Sequence, residues 1–223
     1  MTYAEIMADL KKLGTAQNVK IYKRHGAGDN LFGVSFANLN KLQKKIKIDH
    51  QLAVQLWESG NSDARTLATM IVDPKQITSA QADNWIENLS HYMLIDLLAG
   101  LIARTSFAKE KMEEWMKSPQ EFVRQCGYSI LGELFKNGAN ISEADCRRYL
   151  KTIGKEIHSS PNRARHSMNG AVISIGVFKP ALTKEAFATA KKIGKVEVDH
   201  GETGCKTPDA IDYIQKTLKR LRK

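Results

Sequence analysis

Cysteine is nearly absent from this chain of 223 residues. Its three cysteines, Cys126, Cys146 and Cys205, are far apart, odd in number and never in a Cys-x-x-Cys pair. That excludes a disulfide framework and leaves no zinc-ribbon spacing. His200 and Cys205 share one segment, and His158 and His166 flank another. Neither pair has a further Cys, Asp or Glu at ligand spacing, so no metal site is expected. Proline is equally scarce, at 5 residues, so few segments are forced out of regular structure. Apolar runs are short: Ala171–Val177 falls far below the roughly 20 residues that span a bilayer. The opening Met1-Thr2-Tyr3-Ala4-Glu5 lacks the basic and apolar regions of a secretory leader, so a cytoplasmic protein away from membranes is expected. Gly26-Ala27-Gly28 lacks the strand and helix that a phosphate-cradling loop requires.

What the chain has in excess is positive charge. Thirty-four Lys and Arg against 24 Asp and Glu leave a formal net charge of +10. Such a surplus favours polyanionic partners, because each phosphate neutralised releases a condensed counterion. The competing explanation is solubility alone.

Nearly every segment repeats at helical period. Predicted helices cover Thr2–Leu13, Ser35–Ile46, His50–Glu58, Asp63–Val72, Ser79–Leu89, Tyr92–Ala103, Ala108–Lys117, Glu121–Lys136, Glu143–His158, Ala164–Val177, Thr183–Ile193 and Pro208–Lys223. Thr207-Pro208-Asp209 supplies a cap, a first-turn proline and an early acid for the last of these. Lys20–Gly33, with Gly26, Gly28 and Gly33, reads as a loop. Residues 195–207 read as an irregular loop, extended at first, before the C-terminal helix. Trp57, Trp85 and Trp115 sit among apolar residues at helical spacing and read as core. The helices come in short pairs with tight turns, which predicts one all-α domain over 1–223: a HEAT-like α-α superhelix, a right-handed solenoid of antiparallel pairs.

Three segments resemble one another: Ser62-Asp63-Ala64-Arg65, Glu121-Phe122-Val123-Arg124 and Asn162-Arg163-Ala164-Arg165. Each sets an Arg in the first turn of an apolar helix. Arg65, Arg124, Arg163 and Arg165 are therefore expected to meet phosphates along one surface, with Lys20, Lys23 and Arg24 as weaker candidates. The alternative is that each is solvated or paired to a neighbouring carboxylate. The basic tail, Lys216, Lys219, Arg220, Arg222 and Lys223, is either a solvated end or a further nonspecific contact. One residue breaks the apolar pattern: Asp96, inside Tyr92–Ala103. A carboxylate buried there is costly unless it is paired or functional. Tyr92, four residues earlier, shares its helix face, and a ring and a carboxylate together suit a cationic group. The alternative is a satisfied buried Asp that caps a helix or pairs with Arg124.

From Phe32 to Gly176 the chain resembles the AlkD-like DNA alkylation repair glycosylases, which are built from HEAT-like repeats. The likeness runs through Phe32–Leu39, Leu56–Ala68, Ser90–Asp96, Glu121–Leu131 and Arg163–Gly176, in order and at matching separations. It implies hydrolysis of the N-glycosidic bond of cationic N3- or N7-alkylated purines in duplex DNA, by a cofactor-free monomer found on the nucleoid when DNA-bound. The family's essential Asp falls on Asp96 and its pocket aromatic on Tyr92, with His91 beside it. A charged base already leaves readily, so a carboxylate that stabilises the oxocarbenium-like sugar and orients a water suffices. A phosphate-gripping Arg falls on Arg124, or one position on at Gln125. There are departures. Tyr92 stands where the family has Trp, Met93 where a polar residue is usual, and a second pocket Trp falls near Gly170. The rival readings are a noncatalytic HEAT-repeat protein that recognises distorted or branched DNA, and a protein-interaction solenoid. Catalysis calls for an exposed Asp96, and a structural role for a buried one.

Overall fold

The computed structural model describes residues 1–87 and 89–221. Among these the protein is all-helical, with thirteen α-helices, no strand, and one isolated antiparallel bridge between Gly14 and Val34. The chain divides into two compact units, 1–106 with 201–203, and 107–200 with 204–223. The second includes Arg222 and Lys223, which lie outside the described residues.

The first unit holds α1 (Tyr3–Leu13), α2 (Ala16–Arg24), α3 (Phe36–Ile46), α4 (His50–Glu58), α5 (Ser62–Ile71), α6 (Ser79–Glu87) and α7 (Tyr92–Ile102). Short polar side chains start most of them. Thr2 and Glu5 close a capping box on α1, and Thr15, Ser35, Asp49 and Asn61 cap α2 to α5. Each such cap satisfies an amide that the helix leaves unbonded. α5 is the hub, packing on α3, α4 and α7. Leu39, Leu56, Leu67, Ile71, Leu94 and Leu98 are all buried. The rings of Trp57 and Trp85 stack at 4.1 Å in that core, as the helical spacing predicted.

One buried charge organises this unit. Asp63, in the first turn of α5, accepts hydrogen bonds from the backbone amides of Phe32 (2.6 Å), Gly33 (3.0 Å) and Val34 (2.8 Å). Gly33 adopts φ +79°, and a Cβ there would lie 2.5 Å from the Thr15 carbonyl oxygen, so only glycine fits the strap. Thr15 N–H and Asn18 Nδ2 donate to the Gly33 carbonyl, and Tyr22 Oη donates to that of Val34. These bonds fix α2, which corrects the expected loop over Lys20–Gly33: its first five residues are helical. α2 buries no residue, so apolar periodicity had nothing to register; its cap and the strap hold it instead.

The second unit holds α8 (Ala108–Trp115), α9 (Glu121–Lys136), α10 (Glu143–Glu156), α11 (Asn162–Phe178), α12 (Thr183–Ile193) and α13 (Ala210–Leu221). α9 and α11 share its largest contact. Glu121 Oε1 accepts from the Arg163 amide at 2.7 Å, so the start of α9 caps the start of α11. Gly127 lets α9 cross the end of α8, where a Cβ would come within 2.4 Å of the Met116 amide nitrogen. Residues 194–209 form neither helix nor strand. The expected helix start at Pro208 moves to Ala210, because Asp209 Oδ1, not Thr207, takes the first-turn amide, that of Asp212, at 2.9 Å.

Asp63→Ala orphans three amides and is expected to cost about 3 kcal/mol in urea unfolding. Gly127→Ala forces backbone apart and should cost about 1–3 kcal/mol. Gly100→Ala, whose methyl meets open space on α7, should instead gain about 0.5–1 kcal/mol. Equal effects for the two glycines would contradict this packing.

Candidate functional site

α7 carries three of the expected site residues. His91 is its N-cap, Tyr92 opens it and Asp96 lies one turn further on. Six apolar residues of α7 are buried: Leu94, Ile95, Leu98, Ala99, Leu101 and Ile102. Asp96 projects from the opposite side and is exposed. The burial penalty argued for it from the apolar sequence therefore does not arise: Asp96 occupies the solvent side of an otherwise apolar helix.

Tyr92 is half-buried, and its hydroxyl is hydrogen-bonded to Nδ1 of His25. The His25 and His91 rings lie 5.7 Å and 6.4 Å from the Tyr92 ring, tilted and edge-on. His25 is the C-cap of α2; its sequence surroundings, Lys23-Arg24-His25-Gly26, carry no signal of a partner 67 residues away. His91 is buried, at 9% exposure, and neither ring nitrogen has a hydrogen-bond partner. Burial, with His25 nearby, drives its pKa down to about 4.

The arginines show a repeated register. Arg65, Arg124 and Arg165 are each the fourth residue of their helix, α5, α9 and α11, and each amide bonds the N-cap carbonyl of Asn61, Gln120 or Pro161. Their heads behave differently. Arg65 Nε donates to the Trp57 carbonyl at 3.1 Å while its guanidinium lies 5.4 Å from the Trp57 ring centre. Arg124 is turned inward: Nε donates to the Ser118 carbonyl at 2.7 Å and Nη1 to Ser160 Oγ at 3.1 Å, with Glu156 at 3.9 Å. Its side chain is 17% exposed, so it staples the turn before α9 to the turn before α11. Arg165 Nε is buried without a partner. Arg163 Nη1 lies 3.3 Å from His200 Nδ1.

Of residues 194–209, the parts that belong to the second unit, 194–200 and 204–209, are docked against α11. Asn162 and Asp199 exchange two hydrogen bonds of 2.7 Å, and Asn169 Nδ2 donates to the Pro208 carbonyl at 2.9 Å. His200 Nε2 lies 3.0 Å from Thr207 Oγ1, and the His166 ring meets the His200 ring edge-on at 5.4 Å. Gly170 faces open space: a Cβ built there meets nothing within 4 Å. Among the weaker candidates, Lys20 and Arg24 are exposed on α2, and Lys23 is paired with Asp29 at 2.7 Å. Lys216, Lys219 and Arg220 are exposed on α13.

Comparison with known proteins gives a consistent result. The family described as DNA alkylation repair enzyme matches residues 6–214. Uncharacterized proteins of Listeria innocua and Listeria monocytogenes are each 32% identical, over 99% and 100% of both chains. A solved structure, of a new family of proteins related to the HEAT-like repeat DNA glycosylases with affinity for branched DNA structures, matches with a TM-score of 0.90. It is 31% identical and covers 100% of this chain and 96% of that one. The all-α, HEAT-like repeat fold expected from the sequence is thus the fold observed.

An imidazole held at about 4 against an ordinary 6.5 binds fewer protons folded than unfolded between those values. Stability therefore falls as pH drops through that window and is untouched above it. Replacing His91 by Gln should flatten the profile of unfolding free energy between pH 6.5 and 4 by up to about 3 kcal/mol. An unchanged slope in the variant would show that His91 is not the group responsible.

Proposed function

The chain belongs to the DNA alkylation repair enzyme family, and from that membership we propose that it binds the backbone of distorted or branched duplex DNA without enclosing a base. Gly170 carries this reading. Where the resemblance calls for a second aromatic wall, the helix offers open space, and at the first wall Tyr92 has its hydroxyl engaged by His25. A protein without an enclosing pocket discriminates by backbone path and deformability rather than by base edges. The likeness over the whole chain to a protein of a family with affinity for branched DNA supports the same reading. Arg65, Arg163, Arg165 and the exposed basic residues of α2 supply the positive charge. Arg124 acts instead as an internal staple between α9 and α11.

A second reading, excision of cationic N3- or N7-alkylated purines, is favoured by one observation. Asp96 is exposed one turn beyond Tyr92, so a carboxylate and a ring are presented on one helix face to whatever docks there. A bound duplex would exclude water from that face and strengthen the attraction between the carboxylate and a cationic nucleotide.

One pair of assays separates the readings. In the first reading, a four-way junction binds more tightly than a linear duplex of equal length, the affinity falls steeply with salt, and Asp96→Asn leaves both unchanged. Arg163→Ala should lower the slope of log affinity against log salt by about 1. Release of alkylpurine from methylated DNA, abolished in Asp96→Asn, would establish the second reading in its place. Failure to bind either DNA at low salt would end both and leave a protein-interaction solenoid.

A further inference from the structure

We propose that the cavity at the entrance to α7 is a phosphate receptor, with Arg65 and His91 as its ligating side chains. It rests on the nucleic-acid reading only for the source of the phosphate, not for the chemistry. The cavity, of about 170 Å³, is framed by Asn30, Gly60, Ser62, Arg65, Ser90 and His91. All of these belong to the first unit.

Arg65 is prepared for an anion. Its Nε is fixed to the Trp57 carbonyl and its guanidinium lies over the Trp57 ring, 5.4 Å from the centre, with that ring itself stacked on Trp85. Neither Nη group has an acceptor among the described residues. A guanidinium immobilised at one end offers a planar fork at the other, the geometry that meets a phosphate with two parallel hydrogen bonds. Little side-chain freedom is left to lose when it binds.

His91 supplies an independent indication. A nine-tenths-buried imidazole with both nitrogens unbonded is anomalous, because buried polar groups are almost always satisfied. His91 lines this cavity and also a smaller, apolar one shared with Tyr22, Phe36 and Leu97. Both ring nitrogens are sealed from solvent as the side chain stands, so in the receptor a turn about the Cβ–Cγ bond brings an N–H to an oxygen held by Arg65. Its depressed pKa keeps it neutral, so it donates one proton without adding charge. The start of α7 adds the positive end of a helix dipole, and the His91 side chain does not cap it. The one carboxylate on the rim among the described residues, Asp29, is 97% exposed and paired with Lys23 at 2.7 Å, so it does not occupy the cavity with negative charge.

The experiment reads the His91 imidazole directly. Protein labelled with ¹⁵N in its histidines is titrated first with inorganic phosphate and then with a short duplex, in wild type and in Arg65→Ala. The expected result is a saturable shift of the His91 resonances with both ligands, lost in Arg65→Ala. Duplex binding should weaken roughly tenfold at low salt in that variant, with a salt slope smaller by about 1. Arg65→Lys keeps the charge and the stem over Trp57 but not the fork, and should give an intermediate loss; it replaces the Ala variant if that one does not fold. A shift with inorganic phosphate alone keeps the receptor but assigns it to a free phosphate ester, overturning the backbone source. If the duplex fails to bind anywhere while phosphate still moves His91, the DNA reading fails and the receptor stands. His91 resonances that ignore both ligands, or that move equally in Arg65→Ala, overturn the proposal.

Discussion

The carboxylate of Asp63 decides where the rest of the first unit can go. A buried charge is tolerated only when its hydrogen-bonding capacity is filled, and this one is filled by three successive amides of Phe32, Gly33 and Val34. That requirement pins an irregular segment beneath the first turn of α5. The carbonyls of the same segment then receive Asn18 and Tyr22, which orient α2. The end of α2 places His25 against Tyr92, so the ring at the head of α7 is positioned by a chain of contacts that begins at Asp63. Arg65, two residues beyond that carboxylate on the same helix, has its place set by the same turn.

Much of this was legible in the sequence because most helices here are amphipathic and capped by short polar residues. Twelve of the observed helices were anticipated, with ends shifted by a few residues where caps compete, as Asp209 does with Thr207. α2 escaped because it buries nothing; a helix secured by polar contacts to its neighbours leaves no apolar stripe to find. The site was legible in part. The kinship with DNA alkylation repair proteins follows from segments spread along the chain, and Tyr92 and Asp96 do share a face of α7. His25 and the cavity behind His91 were not foreseeable, since they depend on residues far apart in sequence meeting through the Asp63 strap. Asp96 illustrates the opposite limit: in sequence it sits among apolar residues, yet a helix needs only one narrow solvent-facing line to expose it.

The three arginines at the fourth position of α5, α9 and α11 show how a repeated backbone register can serve different ends. The amide of each closes the first turn of its helix in the same way. What lies beside it then decides its role. A tryptophan ring and carbonyl leave the Arg65 fork open, whereas Ser118, Ser160 and Glu156 draw Arg124 inward. Charge counted along a sequence therefore overstates the charge offered to a polyanion, and the distinction between an open and a stapling arginine rests on the neighbours that each guanidinium meets.

The distribution of thiols has a practical consequence. Cys126 and Cys146 are buried, while Cys205 is exposed in the segment docked against α11. A maleimide dye should therefore attach at a single place, on the stretch tethered by Asn162, Asn169 and the His166–His200 pair. The native chain thus carries its own labelling handle, and fluorescence from it would report whether that stretch lifts from α11 when a nucleic acid arrives.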